Sequence, residues 1–294
     1  MKKAFIQLHI AILLAGFTGV FGKLITLNEG LLVWYRMLIS GILLLLILFF
    51  SKRLKAVSTR DLKRIGFAGF LLGLHWIFFY GSIKYSNISV GVVCFSLSGF
   101  FTSILAPLIN KKKFAVSELL LSGLTLLGIG LIFSFDTRYR TGIILGVVSS
   151  LLVALYTIAN ERLARDYASE TVTLYQMIGG SLALGLLMPV YLHFFPVRSI
   201  IPSLPDLVCL ILLSLFCTIL LYMLLTQALN KISAFTVNLS FNLEPVYTIA
   251  LAILIFKENR ELTIAFYIGL SLIVLSVILQ MMKVYWQNKK LSAV

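Results

Sequence analysis

Long apolar runs separated by short polar breaks fill this chain, and ten of them follow one another at residues 4–27, 30–50, 64–85, 88–109, 114–135, 141–160, 170–193, 206–228, 233–256 and 262–282. Each is close to the ~20 residues that a helix needs to cross the hydrocarbon core of a bilayer. The pattern therefore predicts ten transmembrane helices. The longest polar connection, Ser51 to Lys63, has 13 residues and leaves no room for a soluble catalytic domain. Chemistry must happen between helices.

Composition supports this reading. Of 294 residues, 60% are hydrophobic and 12% charged, about half the ~25% charge of a soluble domain, and the mean hydropathy is +1.02. The formal net charge of +14 would suggest nucleic acid if it were clustered. With a cytoplasmic N-terminus, however, the inner loops and tails collect 17 Lys and Arg and the outer loops 6 (Lys84, Arg138, Arg140, Arg198, Lys257 and Arg260). That is the positive-inside bias of a membrane protein with both termini in the cytoplasm. No nucleic-acid partner is expected. The first run is read as a retained helix and not as a signal peptide, since no small-residue cleavage site follows it. Cys94, Cys209 and Cys217 lie in apolar runs without metal-ligand spacing and are read as packing residues.

The runs repeat. "VWYRM" (33–37) resembles "TLYQM" (173–177), and "ISVGVVCFS" (88–96) resembles "ISAFTVNLS" (232–240) at an offset of 144. On that offset Phe100-Phe101 stand where the second half has Glu244-Pro245. Five helices per half is an odd number, so the second half crosses in the opposite sense. Inverted repeats are typical of secondary transporters, with the site near the midplane. The expected fold class is an all-α polytopic membrane protein of ten helices in two inverted five-helix repeats, residues 1–137 and 138–294. Gly142, Gly146, Ser150 and Ala154 in the sixth helix, and Gly66, Gly69 and Gly73 in the third, predict close helix packing.

Three stretches, "LLVWYRMLISGILL", "GVVSSLLVALYTIANERLARDY" and "NLEPVYTIALAILIFKENREL", resemble the EamA-like members of the drug/metabolite transporter superfamily over nearly the whole chain. The resemblance implies a ten-helix bacterial inner-membrane carrier of small organic solutes, often amino acids or other metabolites, commonly moved outward. One departure is visible. The family's Gly-Glu after the fourth and ninth helices is replaced here by "NKKK" and by Lys257-Glu258.

Ionisable groups at membrane depth are functional candidates by default. Glu244 lies about ten residues into the ninth helix, ~15 Å deep. Ser240 is one turn before it, Asn238 and Asn242 form a second stripe, and Pro245 is expected to break the helix. Glu244 is a candidate to bind a cationic group or carry a proton, the alternative being a carboxylate satisfied by neighbouring helices. Arg36 and Lys23 sit near outer helix ends. Snorkelling accounts for Lys23, whereas Arg36 can snorkel or pair with a buried or substrate carboxylate. His75 can relay a proton or simply be hydrogen-bonded, and Trp76 can stack on a solute or pack. Tyr80, Tyr156, Gln176 and Tyr222 complete the candidate cavity set. Ser214, Thr218, Tyr222 and Thr226 recur every four residues on the eighth helix, a stripe that should face protein or water.

The resulting expectation is a gradient-driven exporter of amino-acid-like or drug-like solutes, working by alternating access through an aromatic cavity lined by helices 1, 3, 4, 6, 8 and 9. Proton coupling and a monomeric or homodimeric state stay open, and no cofactor or metal is expected. Three alternatives remain. A carrier of phosphorylated or nucleotide-linked solutes would need more basic groups at depth. An intramembrane enzyme would need a carboxylate cluster or a nucleophile–base constellation. The third is a receptor or structural protein.

Overall fold

A computed structural model of the chain describes residues 2–111, 113–133, 139–197, 199–257 and 263–291. The expected Arg138, Arg198 and Arg260 of the outer loops, Glu258, and the boundary between residues 137 and 138 lie outside the described residues. Ten helical segments run in order: α1 (Lys2–Leu24), α2 (Glu29–Phe50), α3 (Thr59–Lys84), α4 (Ile88–Asn110), α5 (Val116–Phe133), α6 (Arg140–Asp166), α7 (Ser169–Phe194), α8 (Leu204–Leu229), α9 (Ala234–Phe256) and α10 (Ile264–Leu291). Among the described residues, nine are long and apolar enough to cross a membrane, and α5 is a shorter apolar helix. The protein is a multi-pass, all-helical membrane protein.

The helix starts are written in the sequence. Asn28, Ser58, Asn87, Ser203 and Ser233 each precede a helix, and each side chain accepts a backbone N–H from the first turn. These groups satisfy donors that a helix cannot pair internally. Packing follows the inverted repeat. α3 rests on α6 and α7, and its counterpart α8 rests on α1 and α2; α2 pairs with α7, α4 with α9 and α5 with α10. Glycines allow the tightest crossings. A Cβ built on Gly69 would stand 2.0 Å from the Gln176 carbonyl oxygen, so α3 and α7 touch backbone to backbone. On the sixth helix a Cβ at Gly146 would meet the Cys94 Cβ at 2.4 Å.

The caps correct the repeat register. Asn87 and Ser233 are the N-caps of α4 and α9, and Lys111 and Lys257 are their C-caps, with φ of 52° and 57°. Both pairs are 146 residues apart, so the local likeness at offset 144 is two residues out of register. Glu244-Pro245 therefore correspond to Ser98-Gly99 and not to Phe100-Phe101. Both helices also break at equivalent places. α4 divides into Ile88–Phe95 and Leu97–Asn110, with the Ser96 N–H bonding back three residues to Val93 O at 3.0 Å. α9 tightens into a 3₁₀ turn over Phe241–Leu243, immediately before Glu244 and Pro245. Phe95 and Phe241, 146 apart, touch edge to face with ring centroids at 6.0 Å. A residue and its repeat mate thus meet on the pseudo-twofold axis.

Candidate functional site

The two helix breaks and a third irregularity enclose the centre of the bundle. Over Leu215–Leu220, α8 widens into a π-helical turn. Such turns recur at functional sites because they unhook a carbonyl from the ordinary ladder. Here the Cys217 carbonyl accepts the Nη2 of Arg36 at 2.6 Å, and the neighbouring Thr218 Oγ1 accepts its Nε at 2.7 Å. Nη1 of Arg36 donates to Tyr80 OH at 2.8 Å, and the guanidinium lies 3.6 Å from the Trp76 ring centroid. Arg36 is therefore no snorkelling residue. It is 1% exposed and fastened to α3 and α8 at once.

Glu244 is the counterpart. It is 4% exposed and opens, together with Arg36, onto an internal cavity of about 30 Å³, room for about two water molecules. Its carboxylate makes no hydrogen bond with another described residue, and no Arg36 nitrogen comes within 4.0 Å of it. The walls are aromatic. Phe95 and Phe241 cover one side, Trp76 and Tyr222 another, and Ala15, Thr18, His75, Phe79 and Leu221 fill the gaps. A bare carboxylate in an apolar, aromatic chamber is costly unless a cationic group or a proton joins it.

The other expected residues stand around this chamber. His75 lines it, but its Nδ1 is bonded to Ser149 Oγ at 2.8 Å, tying α3 to α6. The Trp76 Nε1 donates to Tyr222 OH at 3.1 Å, and Tyr156 packs edge-on against Tyr222. Behind them Tyr156 OH reaches Gln176, which donates to Asn160, which donates to Thr226. Asn238, Asn242 and Ser240 lie outside the cavity wall. Asn238 bridges Thr157 and Thr102, Asn242 donates to Thr125, and Ser240 bonds Thr236 O. The cavity is lined by α1, α2, α3, α4, α8 and α9, so α2 takes the place expected for α6. The four-residue stripe of α8 is used throughout: Ser214 donates to Arg36 O, Thr218 accepts from Arg36, Tyr222 meets Trp76, and Thr226 meets Asn160.

Hydrogen bonds tie the helices together on two sides of the chamber. At one end Asp206 accepts the Thr26 N–H at 2.8 Å and its hydroxyl at 2.7 Å, and Lys84 donates to the carbonyls of Ile25 and Leu27. Outside these ties lies a vestibule of about 730 Å³. At the other end Gln7 donates to Gln227 across the two repeats, and within the second repeat Gln227 donates to Ser169 and Glu161 accepts the Ala234 N–H of the α9 N-terminus at 3.2 Å.

Comparison with known proteins agrees with this architecture. The profile of the EamA-like transporter family matches residues 2–134 and again 140–282. A Haemophilus influenzae protein named "Uncharacterized transporter" is 30% identical over 233 residues, covering 76% of this chain and 74% of its own. The Bacillus subtilis "Uncharacterized transporter YyaM" is 25% identical over 297 residues, with 92% and 93% covered. One solved structure superposes with a TM-score of 0.69 at 15% identity, covering 94% of this chain and 96% of that one, which speaks for the fold alone.

Proposed function

The chain belongs to the EamA-like transporter family, and on that premise we propose that it is a gradient-driven carrier that moves small organic solutes outward through the Arg36–Glu244 chamber. The observation that carries this reading is the buried carboxylate of Glu244, which has no hydrogen bond or ion pair with another described residue and lines an aromatic cavity together with Arg36. The buried lining of the chamber and the ties on its two sides support an occluded state of an alternating-access cycle. The two repeats, residues 1–137 and 138–294, rock about the Phe95–Phe241 contact with both termini in the cytoplasm. The outer ties at Asp206 and the inner ties at Gln227 and Glu161 release in turn. Solutes are amino-acid-like or drug-like in size, and a proton on Glu244 supplies the coupling.

Arg36 is bonded on three nitrogens and stands in the chamber as a fixed charge. That disfavours a carrier of phosphorylated solutes, which would want free basic forks. The test is a solute screen in inside-out and right-side-out vesicles, with and without a pH gradient, for wild type and Glu244→Gln. Transport that depends on the pH gradient and is lost in the variant is expected. A variant with wild-type rate and pH dependence would sink the reading.

A further inference from the structure

We propose that the chamber selects solutes of single positive charge and exchanges each for one proton, with no net charge moved across the membrane. The inference rests on the reading of Glu244 above and adds the charge class and the stoichiometry.

The charge class follows from which group is free. A guanidinium recognises a carboxylate through its Nε–Nη2 edge, two parallel N–H donors. In this protein that edge is spent on Thr218 Oγ1 and the Cys217 carbonyl, Nη1 holds Tyr80, and Trp76 covers one face. Arg36 thus has no fork to offer an anionic group. Among the described residues, the charged side chain in the chamber without a hydrogen bond is Glu244, whose carboxylate is flanked by aromatic rings of a kind that favours cations over their faces. The recognised ligand is a cation with an apolar body; an anionic head, or the carboxylate of a zwitterion, finds no mate and would be buried unpaired.

The stoichiometry follows from counting the groups that face Glu244. α2 presents Arg36, α3 presents His75 with Tyr80 behind it, and α8 presents Tyr222 with Cys217 behind it. α1 and α4 present Ala15, Thr18 and Phe95, which do not titrate. The Arg36 guanidinium is engaged on three nitrogens, and the His75 Nδ1 is engaged by Ser149. One carboxylate remains to exchange a proton. Loaded with a proton, the chamber holds Arg36⁺ and neutral Glu244. Loaded with a monocation, it holds Arg36⁺, Glu244⁻ and the solute. Both loaded states carry one positive charge, so swapping them transfers a proton one way and a cation the other without current. A zwitterion would leave the chamber neutral and make the exchange electrogenic.

Three probes share a phenyl ring on a two-carbon arm: phenethyltrimethylammonium, phenylalanine and 3-phenylpropionate. In thermal unfolding of the purified full chain, the cation should stabilise wild type, while the zwitterion and the anion should not. Its apparent affinity should fall on acidification by at most about tenfold per pH unit, the limit for competition with one proton. In proteoliposomes, proton release driven by the cation should keep its rate when the potential is clamped with potassium and valinomycin. Equal or stronger binding of phenylalanine or 3-phenylpropionate, no effect of the cation, a steeper pH dependence, or a rate that follows the potential each overturns the inference. Glu244→Gln separates the two levels. If the variant keeps cation binding, the reading of Glu244 itself fails. If it loses binding while wild-type exchange proves electrogenic, only the electroneutral exchange fails.

Discussion

Arg36 and Glu244 line one cavity from opposite halves of the chain, and of the two only Arg36 is hydrogen-bonded to another described residue. Three engaged donors hold Arg36 as a fixed part of the frame, and taking partners from a buried charge is strongly destabilising.

Arg36→Lys keeps the charge and removes the fork. The Thr218 hydroxyl, the Tyr80 hydroxyl and the Cys217 carbonyl cannot all be reached by one ammonium, and each buried polar group left unpaired costs about 1–3 kcal/mol. Unfolding of the purified variant in detergent should show a loss in that range or above, with the π-helical turn no longer held to α2.

Gly69→Ala should fail to assemble or unfold at markedly lower temperature. The added Cβ meets backbone at 2.0 Å, which no rotamer change relieves, and overpacking of even softer contacts costs about 1–3 kcal/mol. Gly123→Ala is the matched control. Nothing lies within 4 Å of its Cβ position, so the mid-helix change should stabilise by about 0.5–1 kcal/mol.

Lys257→Gly should stabilise. Lys257 ends α9 in the left-handed region at φ 57°, a conformation that costs a residue with a Cβ about 1–2 kcal/mol. Glycine adds unfolded-state freedom of about 0.4–1 kcal/mol, leaving a gain of about 0.5–1 kcal/mol in thermal unfolding. Lys111→Gly at the matching end of α4 should behave alike.

Asp206→Ala removes the acceptor of both Thr26 bonds and should loosen the contact of α1 with α8 at that end. In a chain carrying Cys209→Ser, alkylation of the buried Cys217 by a membrane-impermeant maleimide offered on the side of that end should accelerate. An unchanged rate would show that these bonds do not hold the entrance.

Much of this architecture is legible in the sequence because lipid enforces simple rules. All ten apolar runs coincide with the observed helices to within a few residues at most of their ends, and the Ser214–Thr226 stripe finds partners at every position. The local breaks are not legible. The tight turn before Pro245 announces itself through proline, but the break at Ser96 and the π-helical turn at Leu215–Leu220 occur in ordinary apolar sequence, and tertiary bonding at the centre decides them. Arg36 is legible as a candidate cavity residue, but its partners are not: its place near the helix start leaves snorkelling and pairing with a carboxylate both open, whereas in the structure it bonds Thr218, Tyr80 and the Cys217 carbonyl of the π-helical turn. The repeat register shows the limit of local likeness: "ISVG" and "ISAF" attract each other at offset 144, whereas the caps Asn87, Ser233, Lys111 and Lys257 set it at 146. Ser98 then becomes the mate of Glu244, and its buried hydroxyl has no hydrogen-bond partner among the described residues.

A structure of the protein with a transported solute bound decides whether solute sits between Glu244 and the aromatic walls of the internal chamber. Solute density is expected inside that chamber, with a cationic group within hydrogen-bonding or contact distance of the Glu244 carboxylate. Solute held only in the vestibule beside Glu29 and Asp206, with none in the chamber, would contradict it.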